Sequence, residues 1–273
     1  MMKINSERLK DFQKLVSAKG LGGYIITNPI DVGYLTGFNL EGATLLVGRK
    51  HSWAFVSSML YDHFKNTVSF CEAVAFAKDV RLDVLELMKK AGIKKAGFDS
   101  AASSYLAGKY WKEKGLAELP SLLTGLRLIK SRQEADCMRK AGRIAVQAFG
   151  KLKGFLRPGM SERRVAAELL YLMQKLGAEG QSFDSIIAAG PNAAYPHHVT
   201  SERIIRKNEC LLLDFGCKYN GYCSDITRTV FIGKPPEEFK KVYAIVAKSQ
   251  KLGVAAVRHG VKCSDADKAC RDY

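Results

Sequence analysis

The stretch from Pro196 to Gly233 constrains the fold of this chain more than any other, because it carries a strong signal for a β-hairpin. An apolar run from Glu209 to Gly216 is followed by a segment from Tyr222 to Ile232 that is rich in β-branched residues. Asn220 and Gly221 lie between these segments and form the dipeptide that a type I′ turn prefers. The sequence therefore predicts two antiparallel strands joined by a two-residue turn.

The position of this turn sets the expected register of the hairpin. Counting outward, Thr227 is expected opposite Asp214, and Asp225 is expected opposite Gly216. Because side chains alternate along a strand, the two aspartates should project from one face as diagonal neighbours, roughly 7–8 Å apart at the backbone. A three-residue turn would instead send them to opposite faces, so the inference depends on a turn with an even number of residues.

Two ionised carboxylates that point at one spot repel each other, and burying them without compensation is costly. A divalent cation held by Asp214 and Asp225 would remove that cost, with Thr227 as a hydrogen-bond partner and His197 arriving from the preceding loop. The alternative is that both acids face water or pair with arginines of the same stretch, namely Arg203, Arg206 or Arg228. Aspartate is disfavoured in the middle of a strand, which favours the metal site.

Three segments carry a resemblance to a known family, namely NPIDVGYLTGF (28–38), GPNAAYPHH (190–198) and LLLDFGCKYNGYCSDITRTVFIG (211–233). In this order they resemble the pita-bread metallopeptidases, in the branch of aminopeptidase P and prolidase. The resemblance implies that Asp214 and Asp225 are metal ligands, with Asp225 bridging two ions. It also implies that His197, which follows proline, acts on the reaction intermediate, and it gives His198 no role.

The resemblance implies a peptidase that removes an N-terminal residue preceding proline. Two divalent ions, Mn²⁺, Co²⁺ or Zn²⁺, would be bridged by a hydroxide that attacks the scissile carbonyl, and His197 would bind the oxyanion or shuttle a proton. The expected partners are a proline-containing peptide and, as a homodimer, a second copy of the chain. The competing hypothesis is a non-catalytic pita-bread module that binds peptides or nucleoprotein. The intact set of Asp214, Asp225 and His197 favours the enzyme.

Composition narrows the cellular setting. The net charge is +16, yet basic residues are scattered among acidic ones without an aromatic-rich basic stripe, so no nucleic-acid partner is expected. The sequence lacks an apolar run of eighteen residues and an apolar segment typical of a signal peptide, so no membrane association is expected. Seven cysteines without such a signal indicate reduced thiols and a cytoplasmic location.

The order of elements predicts two domains. Residues 1–123 alternate apolar strands with amphipathic helices, which predicts an α/β domain similar to the N-terminal domain of creatinase and prolidase. Residues 124–273 predict the first part of an α+β pita-bread domain, similar to that of methionine aminopeptidase.

An internal repeat shows where a second half of that domain begins. The segments RPGMSERRVAAEL, from Arg157, and RHGVKCSDADKAC, from Arg258, align without a gap and both predict a turn followed by a helix. By resemblance, the remaining metal ligands, a histidine within Gly-His-Gly and two glutamates, would follow Tyr273. His259 lies at the turn of the repeat and is interpreted as a turn residue. The chain is therefore expected to be the front portion of a longer protein and to be inactive by itself.

Overall fold

A computed structural model describes residues 6–38, 42–76 and 78–273 of this chain. Their helices and strands pack around separate apolar cores. The chain divides after Ala135 into two compact units. Two apolar clusters draw only on residues of the first unit, and a third draws only on residues of the second. The described helices include none that is long and apolar enough to cross a membrane.

The described part of the first unit contains a mixed six-stranded sheet. Its strands, in the spatial order β4-β3-β2-β1-β5-β6, are β1 (Gly23–Ile26), β2 (Ala43–Gly48), β3 (Ser52–Ser57), β4 (Glu72–Phe76), β5 (Ala96–Asp99) and β6 (Ala117–Leu119). The central strand β2 pairs antiparallel with β1 and β3, whereas the outer pairs are parallel. Every residue of β2 is buried, because alternate side chains such as Leu45 and Leu46 enter different apolar clusters.

Helices alternate with these strands, as the α/β pattern predicts. Their bounds are α1 (Glu7–Ala18), α2 (Pro29–Thr36), α3 (Ser58–Thr67), α4 (Val80–Lys90), α5 (Tyr105–Glu113) and α6 (Thr124–Leu128). In α1 the buried residues Leu9, Phe12 and Val16 recur at helical spacing, so one face of this helix packs into the core.

The segment NPIDVGYLTGF forms α2 together with both of its caps. The side chain of Asn28 accepts a hydrogen bond from the Ile30 amide at 3.0 Å, and Pro29 occupies the first turn, where its missing N–H costs nothing. Gly37 ends the helix with a φ of 78°, a conformation that favours glycine. This segment therefore contains its own start and stop signals.

The second unit has the expected α+β composition. Its helices are α7 (Arg132–Leu152), which begins in the first unit, α8 (Glu162–Lys175), α9 (Glu237–Ala256) and α10 (Cys263–Arg271). Its strands are β7 (Gly180–Gln181), β8 (Ile186–Ala189), β9 (Glu209–Phe215), β10 (Cys217–Tyr219), β11 (Tyr222–Cys223) and β12 (Ile226–Ile232), and a 3₁₀ helix covers Gly190–Ala194. Among the described residues they form two small sheets, β12-β9-β8 and β11-β10-β7.

Strand β9 places its alternate side chains in the core of the second unit. Leu211, Leu213 and Phe215 are fully buried against apolar residues of α7 and α8. Leu212 and Asp214 belong to the other set of alternating positions and are only half-buried. The amphipathic strand thus separates a packed face from a face that carries Asp214.

The predicted internal repeat is present as two turn-helix segments. Helix α8 begins at Glu162 and α10 begins at Cys263, the aligned position of the repeat. The preceding turns contain Gly159 and Gly260, also aligned, with φ values of 90° and 83°. His259 lies in the second of these turns, so its interpretation as a turn residue is confirmed.

Candidate active site

The predicted hairpin forms with the expected turn and register. Asn220 and Gly221 have φ values of 49° and 77°, which is the left-handed conformation that both central residues of a type I′ turn require. Strands β10 and β11 pair on either side of this turn, and β9 pairs with β12 so that Thr227 lies opposite Asp214. The even-numbered turn on which the register depends is therefore confirmed.

The hairpin is interrupted where Asp225 lies. We call the residues Gly216, Ser224 and Asp225 the junction, because they separate the pairing of β9 with β12 from the pairing of β10 with β11. Ser182 joins both sides of it: its hydroxyl donates to the Ser224 carbonyl at 2.7 Å, and its amide donates to the Gly216 carbonyl at 3.1 Å. A Cβ at position 216 would collide with the Ser224 carbonyl oxygen, so only glycine fits there.

Asp214 is positioned by its neighbour across the sheet. The Thr227 hydroxyl donates to Oδ1 of Asp214 at 2.9 Å, so the expected hydrogen-bond partner is in place. Asp214 is half-buried, whereas Asp225 and Thr227 are exposed. The carboxylate of Asp214 therefore has one oxygen engaged by a hydroxyl on a rigid strand.

Two of the three arginines that could have neutralised these aspartates have other partners for their side chains, and in the described structure none of the three pairs with Asp214 or Asp225. Arg203 forms a bidentate pair with Glu209, with both N–O distances at 2.7 Å. The Arg206 amide also donates to Glu209. Arg228 donates to the main-chain carbonyl of Thr227 at 2.8 Å. Across the described ranges, no lysine, arginine or histidine nitrogen forms an ion pair with Asp214 or Asp225.

The residues fit a hard divalent cation through the chemistry of their donors. Two carboxylates without a described cationic partner, Asp214 on β9 and Asp225 at the junction, present the oxygen ligands that such ions prefer. In the part of the chain that the structure describes, no group of three or more His, Cys, Asp or Glu side chains is arranged to hold a metal ion. The assignment of Asp214 and Asp225 as metal ligands therefore stays a prediction.

The two adjacent histidines have different surroundings. We call residues 190–201, which follow β8 and precede β9 in the chain, the histidine loop. Within it, His197 is exposed. The side chain of His198 is only 13% exposed, and its Nε2 lies 2.8 Å from Oε2 of Glu162. Because an ionised carboxylate only accepts hydrogen bonds, this contact requires a proton on Nε2.

Glu162 is a buried charged residue that the sequence analysis missed. It is fully buried and accepts hydrogen bonds from the main chain or side chains of Ala189, Asn192, His198 and Ser201. Burial by itself would raise its pKa, but these hydrogen bonds lower the pKa to about 2.

A sequence signal for Glu162 was available. It shares one helical face with the buried Val165, Leu169 and Met173, so an acid stands at the start of an apolar stripe.

Each of the two units matches a known protein family. Residues 136–273 match metallopeptidase family M24, and residues 8–129 match the creatinase/prolidase N-terminal domain.

Relatives and solved structures cover nearly all of the chain. An uncharacterized peptidase of Bacillus subtilis is 34% identical, and the match covers 97% of this chain and 76% of that protein. The Xaa-Pro dipeptidase of Pyrococcus furiosus is 32% identical, with the same two coverages of 97% and 76%. The structure of an Xaa-Pro dipeptidase from Bacillus anthracis superposes with a TM-score of 0.92 at 33% identity, covering 98% of this chain and 77% of that one. The chain thus spans about three quarters of the length of these relatives.

Proposed function

The chain belongs to metallopeptidase family M24, and we propose that it hydrolyses the peptide bond between an N-terminal residue and proline. The similarity to the Xaa-Pro dipeptidases of Pyrococcus furiosus and Bacillus anthracis supports this substrate class. It also favours an enzyme over a non-catalytic module. The observation that carries the proposal is the pair of hairpin aspartates, Asp214 and Asp225, whose charges no described cationic side chain neutralises.

Asp214 and Asp225 would hold the metal in this proposal. We infer two divalent ions, Mn²⁺, Co²⁺ or Zn²⁺, from the family, and the acceptor-only carboxylates suit any of them. When bound, such ions lower the pKa of water and polarise a carbonyl group. Thr227 holds Oδ1 of Asp214 by its hydroxyl, which orients the carboxylate and leaves Oδ2 for the cation.

His197 would act on the substrate, by binding the developing oxyanion or by carrying a proton. The position of its loop supports this role. The Thr200 hydroxyl donates to the Ser185 carbonyl and accepts from the Ile187 amide, so the loop runs along the edge of β8. The residue between them, Ile186, pairs with Asp214 on β9. Thr200 is therefore held by its side chain at the strand that pairs with β9, on either side of the residue opposite Asp214.

Binding of Mn²⁺ tests the metal site directly. Titration calorimetry of the Asp214→Asn variant should show at least tenfold weaker binding, about the effect of losing a metal-binding contact. Asp136→Asn is the matched control, because Asp136 is exposed on α7 and its described ion pair is with Arg139 at the surface. Equal Mn²⁺ affinity in Asp214→Asn and the unmodified protein would overturn the site.

Hydrolysis of the dipeptide Ala-Pro, with Ala-Ala as the control substrate and added Mn²⁺, tests the reaction. Activity that is specific for Ala-Pro and abolished by a chelator would support the proposal, and activity on the tripeptide Ala-Pro-Ala would extend it to longer peptides. Hydrolysis of both dipeptides at equal rates would contradict the specificity for proline. The opposite expectation, that the 273-residue chain is inactive by itself, predicts no hydrolysis of either dipeptide in the same assay.

The homodimer and the cytoplasmic location also remain predictions. Sedimentation of the purified protein measures the first, and fractionation of cells that express it measures the second. The boundary between residues 123 and 124 is likewise a proposal.

A further inference from the structure

The histidine loop is tied to helix α8 by the buried carboxylate of Glu162, in addition to a main-chain hydrogen bond from the Arg163 amide to the Ser201 carbonyl. Oε1 of Glu162 accepts hydrogen bonds from the Ala189 amide at 2.8 Å and from Nδ2 of Asn192 at 2.9 Å. Oε2 accepts from Nε2 of His198 at 2.8 Å, from the Ser201 amide at 3.0 Å and from the Ser201 hydroxyl at 2.8 Å. Both oxygens are therefore saturated by donors from the loop and its two ends.

These contacts bracket His197 on both sides. Ala189 ends β8 just before the loop, and Asn192 lies in the 3₁₀ helix. His198 is the next residue after His197, and Ser201 ends the loop. An exposed side chain on a surface loop is otherwise free to occupy many conformations, so these anchors restrict where His197 can be.

The site requires a group that only accepts hydrogen bonds. The main-chain amides of Ala189 and Ser201 can donate but cannot accept. A glutamine at position 162 would turn an NH₂ group toward one of the two sets of donors, whichever way its amide is oriented. In either orientation, the hydrogen bonds to one of the two oxygens would then be lost, although the size of the side chain is nearly unchanged. An ionised carboxylate at position 162 is therefore needed to accept all of these hydrogen bonds.

We propose that Glu162 is a positioning residue, which orders the histidine loop so that His197 is held in place for the reaction. This inference rests on the proposed function, because it concerns the residue that would act on the substrate. It gives His198 a defined place as an anchor rather than a reacting group.

Hydrogen exchange measured by mass spectrometry tests the ordering without any activity. In Glu162→Gln, amides of residues 189–201 should exchange about 10- to 100-fold faster, the range for losing a hydrogen bond to a charged group. The rest of the β12-β9-β8 sheet should keep its protection. Glu202→Gln is the matched control, because its exposed carboxylate pairs with Arg163 and so links the same two segments. Unchanged exchange in the loop, or an equal increase throughout the second unit, would overturn the inference.

A second readout follows His197 itself. Its imidazole NMR signal, assigned by its loss in His197→Ala, should shift or broaden in Glu162→Gln and stay unchanged in Glu202→Gln. If Glu162→Gln does not fold, Ser201→Ala replaces it, because that variant keeps the Ser201 amide and removes only the hydroxyl, which donates to Glu162 and accepts from the Arg203 amide. The loop should then show a smaller increase in exchange, and a wild-type pattern would overturn the inference.

Kinetics connect the ordering to the reaction. Glu162→Gln should lower kcat about 10- to 100-fold, the cost of a misplaced reacting group, with KM little changed. In the His197→Ala background the same substitution should have almost no further effect, since Glu162 acts through His197. Equal losses in both backgrounds would exclude positioning through His197. Absence of proline-specific hydrolysis under any metal condition would count against the proposed function, while the exchange pattern would still decide the ordering of the loop.

Discussion

The ionised form of Glu162 links the stability of the second unit to pH. Burial opposes ionisation, but five hydrogen bonds to the carboxylate outweigh it and bring the pKa from 4.5 to about 2. A pKa that is lower in the folded state means that stability is fully present above the unfolded value and is lost as the pH falls toward the folded value.

The contribution of Glu162 to the free energy of unfolding should therefore fall as the pH is lowered from 5 to 2. Unmodified protein should lose about 3 kcal/mol from Glu162 in that window, whereas Glu162→Gln has no such group to protonate. The difference in stability between the two proteins should narrow as the pH falls. Urea unfolding at pH 5 and pH 2.5 measures this difference. An equal loss of stability in both proteins would show that Glu162 is not the titrating group.

The neighbouring histidines should separate by phenotype. His197→Ala should lower kcat by about 10²–10⁴-fold, the range for a proton-transfer group, with little change in thermal stability because the side chain is exposed. His198→Ala should lower the melting temperature, because it removes one buried contact to Glu162, and should change kcat only a few-fold. Activity that survives His197→Ala and is abolished by His198→Ala would show that their roles are reversed.

At the scale of secondary structure, the junction of the hairpin is the sensitive point. Gly216 has no room for a Cβ, because the Ser224 carbonyl oxygen occupies that space next to Asp225. Gly216→Ala should therefore move Ser224 and Asp225, destabilise the protein by about 1–3 kcal/mol and weaken Mn²⁺ binding. The carbonyl is main chain, so the strain cannot be relieved by rotating a side chain.

A second glycine of the same hairpin region supplies the control. Gly180 lies in β7, which pairs with β10, and a Cβ there would meet no atom within 4 Å. Gly180→Ala should leave Mn²⁺ affinity unchanged. Similar losses of affinity in the two variants, measured by calorimetry alongside chemical unfolding, would refute the steric explanation.

At the scale of the molecule, the described cores predict where the chain can be divided. The sequence places the boundary after residue 123, yet α6 contributes to the first unit beyond that point. Leu126 packs against its core, and Arg127 forms an ion pair at 2.9 Å with Asp31, which is 2% exposed. Without Arg127, the buried carboxylate of Asp31 loses its cation, which is costly at such a site.

Two fragments test this division. Residues 1–135 should fold and unfold cooperatively, because two apolar clusters lie entirely within them. Residues 1–123 should be less stable by about 2 kcal/mol or more, through loss of Leu126 packing and of the Asp31 pair. Thermal unfolding of both fragments gives the comparison. Equal stability would place the boundary at 123.

Much of this fold could be predicted because the signals are local. The turn at Asn220 and Gly221 sets the register of Asp214 and Thr227 through the alternation of side chains alone. Both caps of α2 likewise lie within eleven consecutive residues, and the repeat marks the starts of α8 and α10. The turn, the caps and each helix start depend on residues that are near one another in sequence, so their spacing is informative.

Other features of the site were decided only when distant segments met. Glu162 lies 27 to 39 residues from the groups that donate to it, and Ser182 reaches Ser224 across 42 residues. Which arginines are engaged by Glu209 or by a carbonyl, and so leave Asp214 without a cation, also depends on packing. A hydrogen bond or an ion pair needs donor and acceptor within about 3–4 Å, and that proximity is a property of the folded chain rather than of residue types or spacing.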